Sequence, residues 1–362
     1  MRSRASALLA IALIAQAQQW QLALPGYRYE FPRDHFNHPD YQTEWWYYTG
    51  NLRAPDGHRF GFELTFFREA VHLSEQQFAA SDPAWRPDQV YLAHLALSDL
   101  DSHEFFHAER LNRAGPGLAG TKLEQQRYWN GNWQVRWISL TTGEQQLEAV
   151  CGQFSLRLDL RPEKPLVMHG KDGVSEKGAL RGQASHYLSF TRLAANGELS
   201  QWHGRAYELT GLAWMDHEFF TQVVDESLAG WNWFAIQLNN NEELMLYRLR
   251  QKAGGSSPFS SGTYVDARGM SHFLSAADFL LSPGEIWQSV ASGARYPIAW
   301  RIGIPCLQLE LSEKTSLPNQ ELFSKESVTP AYWEGAVTYS GRIHSKPVEG
   351  VGYLEMTGYV RF

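Results

Sequence analysis

The sequence predicts an all-β fold of short antiparallel strands. Three observations carry this: apolar and polar residues alternate with period two, turn residues punctuate the runs, and no long amphipathic helical stripe appears. Aromatic residues make up 14% of the chain, including 14 Trp, and they fall within the alternating runs. Gly61–Phe66 and Phe154–Leu160 alternate most clearly. Further strands are expected over Tyr91–Leu97, Trp133–Leu140, His186–Thr191, Leu307–Leu311, Gly335–Ile343 and Tyr353–Val360. Pro55-Asp56-Gly57, Asn130-Gly131-Asn132, Thr142-Gly143, Asn196-Gly197 and Pro283-Gly284 supply turn chemistry between strands. Trp233–Leu238, Asn239-Asn240-Asn241 and Leu244–Leu249 read as one hairpin with a polar loop. Strands this short and numerous form sandwiches or barrels, and a barrel removes exposed edges. A chain of 362 residues has room for two such units. The boundary is expected after residue 215, where Asp216–Leu228 interrupts the alternation before a new strand pair begins at Gly230.

The first residues, Met1-Arg2-Ser3-Arg4, precede a mostly apolar run and then Ala15-Gln16-Ala17. Basic, apolar and small-x-small segments in that order predict a secretory signal peptide over residues 1–17, which leaves units at 18–215 and 216–362. The mature protein is therefore expected in the periplasm or secreted. No cysteine follows the cleavage site to carry a lipid anchor, and no other segment approaches the roughly 18 apolar residues of a membrane span. The formal charge is −7, or −9 once the two leader arginines are removed, which argues against nucleic acid as a partner. Cys151 and Cys306 are the only cysteines, and either a disulfide or two free thiols fits the sequence.

His103-Glu104-Phe105-Phe106-His107 satisfies the zinc-hydrolase pattern H-E-x-x-H, which works on a helix because both imidazoles then share a face. Here it follows a turn-like Ser98-Asp99-Leu100-Asp101 in a β-rich region. On a strand the two histidines would stand about 13 Å apart, too far to share an ion. No metal or other cofactor is expected. No G-x-S-x-G elbow is present, and Gly170-Lys171-Asp172-Gly173 lacks the spacing of a phosphate loop. Glu44-Trp45-Trp46-Tyr47-Tyr48 places Glu44, Trp46 and Tyr48 on one strand face, and Trp45 and Tyr47 on the other. Such rings either pack a core or line a cavity. In Trp214-Met215-Asp216-His217-Glu218, Trp214 and Asp216 share a face, as do His186 and Leu188 upstream. An acid, an imidazole and an indole converging in an apolar pocket could do proton chemistry, because burial raises a carboxyl toward a useful range. The competing reading has Asp216 and His217 cap the segment between the units, with His186 satisfying a buried backbone group.

Glu44–Gly50, Tyr91–His94, His169–Gly173, Ala184–Tyr187, Gly211–Glu218, Tyr332–Val337 and Gly350–Tyr359 together resemble the AttH and carotenoid 1,2-hydratase family. The resemblance runs over nearly the whole mature chain. It implies two consecutive lipocalin-like antiparallel β-barrels and an apolar or amphipathic ligand, an isoprenoid or a lipid. It also implies two roles. Hydratase-like members add water to an isolated double bond; AttH-like members are exported proteins often associated with export-type ABC transporters, which gives a non-catalytic carrier or transporter accessory protein as the alternative. For hydration, Asp216 would be the acid, Trp214 a ring stabilising a carbocation, and His186 a base or orienter for water. Glu44, Trp46, Tyr48, His94, Tyr187, His217, Trp231 and Trp233 are expected to line the ligand pocket.

Overall fold

The computed structural model describes residues 20–71, 88–221, 225–323 and 330–360; the expected leader, residues 1–17, lies outside them. The alternating runs become strands almost throughout. A first sheet takes β1 (Thr43–Arg53), β2 (Arg59–Ala70), β3 (Gln89–Asp99), β4 (Glu104–Arg113), β5 (Ala119–Lys122), β6 (Arg127–Asn130) and β7 (Trp133–Ser139). It continues through β8 (Glu144–Val150), β9 (Ser155–Pro162), the short β10 (Val167–Met168) and β11 (Val174–Glu176), β12 (Ala184–Trp202) and β13 (Arg205–Phe220). Its order is β4-β3-β2-β1-β13-β12-β9-β8-β7-β6-β5, and contacts of β4 with β5 and β6 nearly close it into a barrel.

The second sheet takes β14 (Leu228–Leu238), β15 (Glu243–Gln251), β16 (Ser261–Val265), β17 (Ser271–Ser275) and β18 (Leu280–Pro283). After a separate ribbon of β19 (Ile286–Gln288) and β20 (Arg295–Pro297) come β21 (Ala299–Ile304), β22 (Leu309–Lys314), β23 (Glu321–Leu322), β24 (Tyr332–Ile343) and β25 (Lys346–Met356). Its order, β17-β16-β15-β14-β25-β24-β22-β21-β18, makes a half-barrel where a second full barrel is expected from the resemblance. Among the described residues no helix is long and apolar enough to cross a membrane.

Local expectations fail where tertiary pairing overrides turn propensity. Asn196-Gly197 lies within β12, paired on both sides, and a Cβ on Gly197 would meet the Arg157 carbonyl at 1.9 Å. The glycine permits close backbone approach instead of a turn. The strand β13 runs through Asp216 to Phe220, so the alternation does not break at 216. Pro305–Leu307 is a single 3-10 turn, and β22 starts only at Leu309. His103 takes a left-handed conformation at a turn and Glu104 begins β4, so the H-E-x-x-H segment is not helical. Cys151 and Cys306 are both free thiols.

Period two decides what lies inside. Trp46, Tyr48, Phe62, Leu64, Phe66, Met215 and Phe190 point into the first barrel, whose core they share with Trp133 and Trp137. Phe234, Ile236, Leu246, Trp300, Trp333 and Leu354 fill the concave side of the second sheet. A third apolar cluster, with Tyr47, Tyr187, Trp214, Trp233, Met245, Tyr247, Ala336 and Tyr353, belongs to neither interior and joins the outer faces of the two sheets.

Polar clamps hold this junction. Lys164 Nζ lies 2.7 Å from Glu243 Oε2, Arg192 pairs with the same carboxylate, and Gln237 Nε2 donates to the Thr191 and Ala213 carbonyls at 2.8 and 2.9 Å. Gly61 sits at a close approach of the two sheets, where a Cβ would meet Ala336 Cβ at 2.6 Å and Tyr353 Oη at 3.0 Å. Gly61→Val is therefore expected to force β2 away from β24 and lower stability by about 1–3 kcal/mol, the usual effect of overpacking. Urea unfolding checks this, and an unchanged midpoint would mean that the junction yields freely.

Candidate active site

Side chains of β1, β2, β12 and β13 that do not enter the first barrel project toward the second sheet. Tyr47 and Ser189 are both register partners of Asp216, so these three residues from three adjacent strands share one face. Trp214 and Glu218 flank Asp216 two residues away on the same strand. From across the junction, Trp231, Trp233, Tyr247, Leu249 and Glu355 complete the walls. The cavity has a volume of about 600 Å³, within the ordinary range for small-molecule sites. The pocket thus lies between the two sheets, outside both hydrophobic interiors.

Asp216 is buried and takes three donors. Tyr187 Oη donates to its Oδ2 at 2.5 Å, Trp214 Nε1 donates to Oδ1 at 2.6 Å, and the Ser189 hydroxyl donates to Oδ1. Burial pushes the carboxyl up, the three hydrogen bonds and the nearby Glu218 modify that rise, and the outcome is about 7. Such an acid holds and releases a proton near neutrality. Trp233 Nε1 donates to Tyr187 Oη at 3.0 Å, so one indole from the second sheet orients a donor on the first. His169 stands behind Ser189, with Nε2 2.7 Å from Ser189 Oγ and Nδ1 2.8 Å from Thr263 Oγ1. Since Ser189 donates to Asp216, the network assigns the proton of His169 to Nε2 and makes Nδ1 an acceptor. Burial pushes His169 down to about 3, which keeps it neutral in this chain of bonds.

The remaining polar lining falls into two groups. Lys177 Nζ lies 3.9 Å from Glu218 and over the rings of Tyr247 and Tyr187. Glu63, Glu334 and Glu355 gather elsewhere on the wall, near His94, whose Nδ1 is 2.6 Å from Tyr332 Oη.

Of the residues expected at the site, the structure brings Asp216, Trp214, Tyr187, His94, Trp231 and Trp233 to this junction, all but Trp214 as cavity lining. It places others elsewhere. His186 precedes Tyr187 and so points to the opposite face of β12, where its ring lies between Tyr29 Oη at 3.2 Å and Tyr41 Oη at 3.1 Å. It cannot orient water at Asp216. Trp46 and Tyr48 are core of the first barrel, and the alternate pair, Trp45 and Tyr47, lines the cavity. Glu44 and His217 also face inward: Glu44 accepts from Arg68 Nε at 3.0 Å and contacts His38 Nδ1 at 2.6 Å and His217 Nε2 at 2.8 Å. The His38, Glu44 and His217 donor atoms are close enough to surround an ion. Burial opposes charge on His38, but Glu44 and Asp34 outweigh it and hold the imidazole above its ordinary range, so that a proton and Arg68 supply the positive charge there.

Ser189, His169, Lys177, Glu63, Glu334 and Glu355 are missing from the sequence-based set. A signal existed for Ser189. The His203-Gly204 turn joins β12 to β13, and counting back from it aligns the strands roughly. Two register shifts, at Phe190/Leu193 and Leu199/Trp202, spoil the count.

Comparison with known proteins agrees with this architecture. A family model described as AttH-like matches residues 22–359. The crystal structure of a putative AttH from Nitrosomonas europaea is 33% identical, covers 94% of this chain and 100% of its own, and superposes with a TM-score of 0.82. A kievitone hydratase structure from Nectria haematococca shares the fold at 14% identity, with 89% and 90% coverage and a TM-score of 0.68. Among curated relatives, dehydratase asqC of Emericella nidulans is 22% identical over 148 residues, or 40% of this chain and 42% of that protein. Kievitone hydratase of Fusarium solani subsp. phaseoli is 26% identical over 147 residues, 40% of this chain and 39% of that protein. The chain thus spans about two fifths of the length of these curated relatives. On the match over residues 22–359, the chain belongs to the AttH-like family.

Proposed function

We propose that this protein is a hydro-lyase that adds water to, or removes it from, an apolar or amphipathic molecule such as an isoprenoid or lipid held between its sheets. The observation that carries the reading is Asp216: a buried carboxyl in an aromatic cavity, held near neutral pKa by burial and three directed donors. The hydratase and dehydratase among its relatives supply the reaction class.

In the hydration direction, protonated Asp216 gives its proton to one alkene carbon while the π pair forms the new C–H bond. The cation left on the neighbouring carbon faces the rings lining the cavity, whose faces stabilise a desolvated cation by about 2 kcal/mol. Water closes on it, and its surplus proton returns to the Asp216 carboxylate. Dehydration is the reverse, with the hydroxyl leaving as water. Tyr187, Ser189 and Trp214 stabilise the carboxylate formed midway, which no single donor could do as well. The test is incorporation of heavy-oxygen water into a panel of isoprenoid and lipid alkenes, alongside mass spectrometry of copurifying ligands. Ligand bound without incorporation into any of them would leave a carrier and sink the enzyme.

Export belongs to the same proposal and rests on the leader-like segment Met1–Ala17. A periplasmic or secreted product beginning at Gln18 is expected by mass spectrometry. Full-length protein retained in the cytosol would overturn it.

A further inference from the structure

The end of the cavity formed by Glu63, Glu334 and Glu355 has no part in the chemistry at Asp216. Glu334 and Glu355 are directly opposite each other on β24 and β25, and Glu63 faces them from β2. Like charges directly opposite in a sheet repel, so packing alone does not account for the pair. Glu355 accepts from Trp231 Nε1 at 2.8 Å, and Glu63 Oε1 accepts from Thr65 at 2.7 Å. Glu63 Oε2, Glu334 Oε1 and Tyr47 Oη make no well-formed hydrogen bond among the described residues, although Tyr47 lies beside Glu334 and Tyr332 beside Glu63. Glu63 and Glu334 are 0% and 1% exposed and Tyr47 is 8% exposed, yet all three line the cavity. Buried polar atoms without partners are rare in a finished core and point to something that completes them.

The rest of the lining says what that is. An anion would meet five carboxyls, since Asp216 and Glu218 add to these three, and Lys177 is already engaged with Glu218 and two rings. A cation would meet carboxyl oxygens together with the rings of Trp45, Trp231 and Trp233, the combination that recognises ammonium groups. We infer that this end of the cavity binds the cationic nitrogen of an amphipathic amine, with its hydrocarbon part extending along the aromatic wall toward Asp216. The inference rests on the reading of this cavity as the ligand site and names the class of molecule it takes. Burial and mutual repulsion push Glu355 up to about 8 and Glu334 well above its ordinary range.

Calorimetry at neutral pH with three dodecyl probes, each below its micelle threshold, tests this. Dodecylammonium is expected to bind about tenfold more tightly than dodecanol, and laurate most weakly. Glu334→Gln, or Glu355→Gln should the first variant not fold, is expected to bring the ammonium and the alcohol to within about threefold of each other. Dodecanol or laurate binding the wild type as tightly as the ammonium would overturn the inference, as would an undiminished preference in a folded glutamine variant. Asp216-dependent water addition without headgroup preference defeats this inference alone. Headgroup preference without any water addition defeats the hydro-lyase reading alone.

Discussion

Asp216→Asn is expected to lower water addition by about 10²–10⁴-fold, the usual contribution of a positioned proton donor, while ligand affinity stays close to wild type. Asparagine keeps the size, its Oδ1 can still accept from Trp214 and Ser189, and its Nδ2 can donate to Tyr187 Oη, so the cavity persists and only the transferable proton is lost. Single-turnover rates and ligand titration on the same sample separate the two. A variant that retains its rate would remove Asp216 from the mechanism. The pH dependence follows from the raised carboxyl: the acid form is populated below about 7, so the rate should fall as pH rises through that value. Ser189→Ala removes a donor that favours the ionised form, which raises the carboxyl further and moves this falling limb to higher pH. A limb displaced to lower pH would show that the Ser189 bond does not stabilise the carboxylate.

Arg68→Ala is expected to destabilise the fold by about 3–5 kcal/mol, because one partner of a buried ion pair is removed. The guanidinium donates to Glu44 at 3.0 Å and to the His38 and Tyr41 carbonyls at 3.0 and 2.9 Å, all inside the first barrel's end. Burial alone would raise Glu44, but His38, Arg68 and the hydrogen bond from His217 hold it well below the usual carboxylate range. A depressed carboxyl contributes stability that is present above its unfolded value and lost as pH falls through its folded value. Without Arg68 that folded value rises, so the difference between wild type and variant should be largest at neutral pH and shrink in acid. Urea unfolding across that range checks it. A difference constant with pH would mean that lost packing, and not lost charge, is responsible.

The all-β class was legible because alternation is a local property: each run from Gly61–Phe66 to Gly335–Ile343 needs only its own residues to show period two. The site was half legible. Trp214 and Asp216 could be placed on one face from spacing, and Tyr187, Trp231 and Trp233 came with neighbouring motifs. Which face of β1 lines the cavity could not be read, since Glu44-Trp45-Trp46-Tyr47-Tyr48 is aromatic on both sides and both sides are largely buried. The usual clue, polar outside and apolar inside, is absent when a second sheet covers the outside. His186 was misplaced for a related reason: proximity in sequence to Tyr187 puts it near the site in space but on the wrong side of the strand. Glu63 and Glu334 stayed invisible because their meeting depends on how two sheets dock, which no local pattern encodes.

That docking has an evolutionary corollary. In β1, even positions such as Trp46 and Tyr48 belong to the barrel core, whereas Trp45 and Tyr47 line the cavity between the sheets. Selection on one set need not disturb the other. A lineage could exchange its cavity rings and acids for a new substrate while the scaffold beneath kept its packing, provided each change respected the parity of the strand.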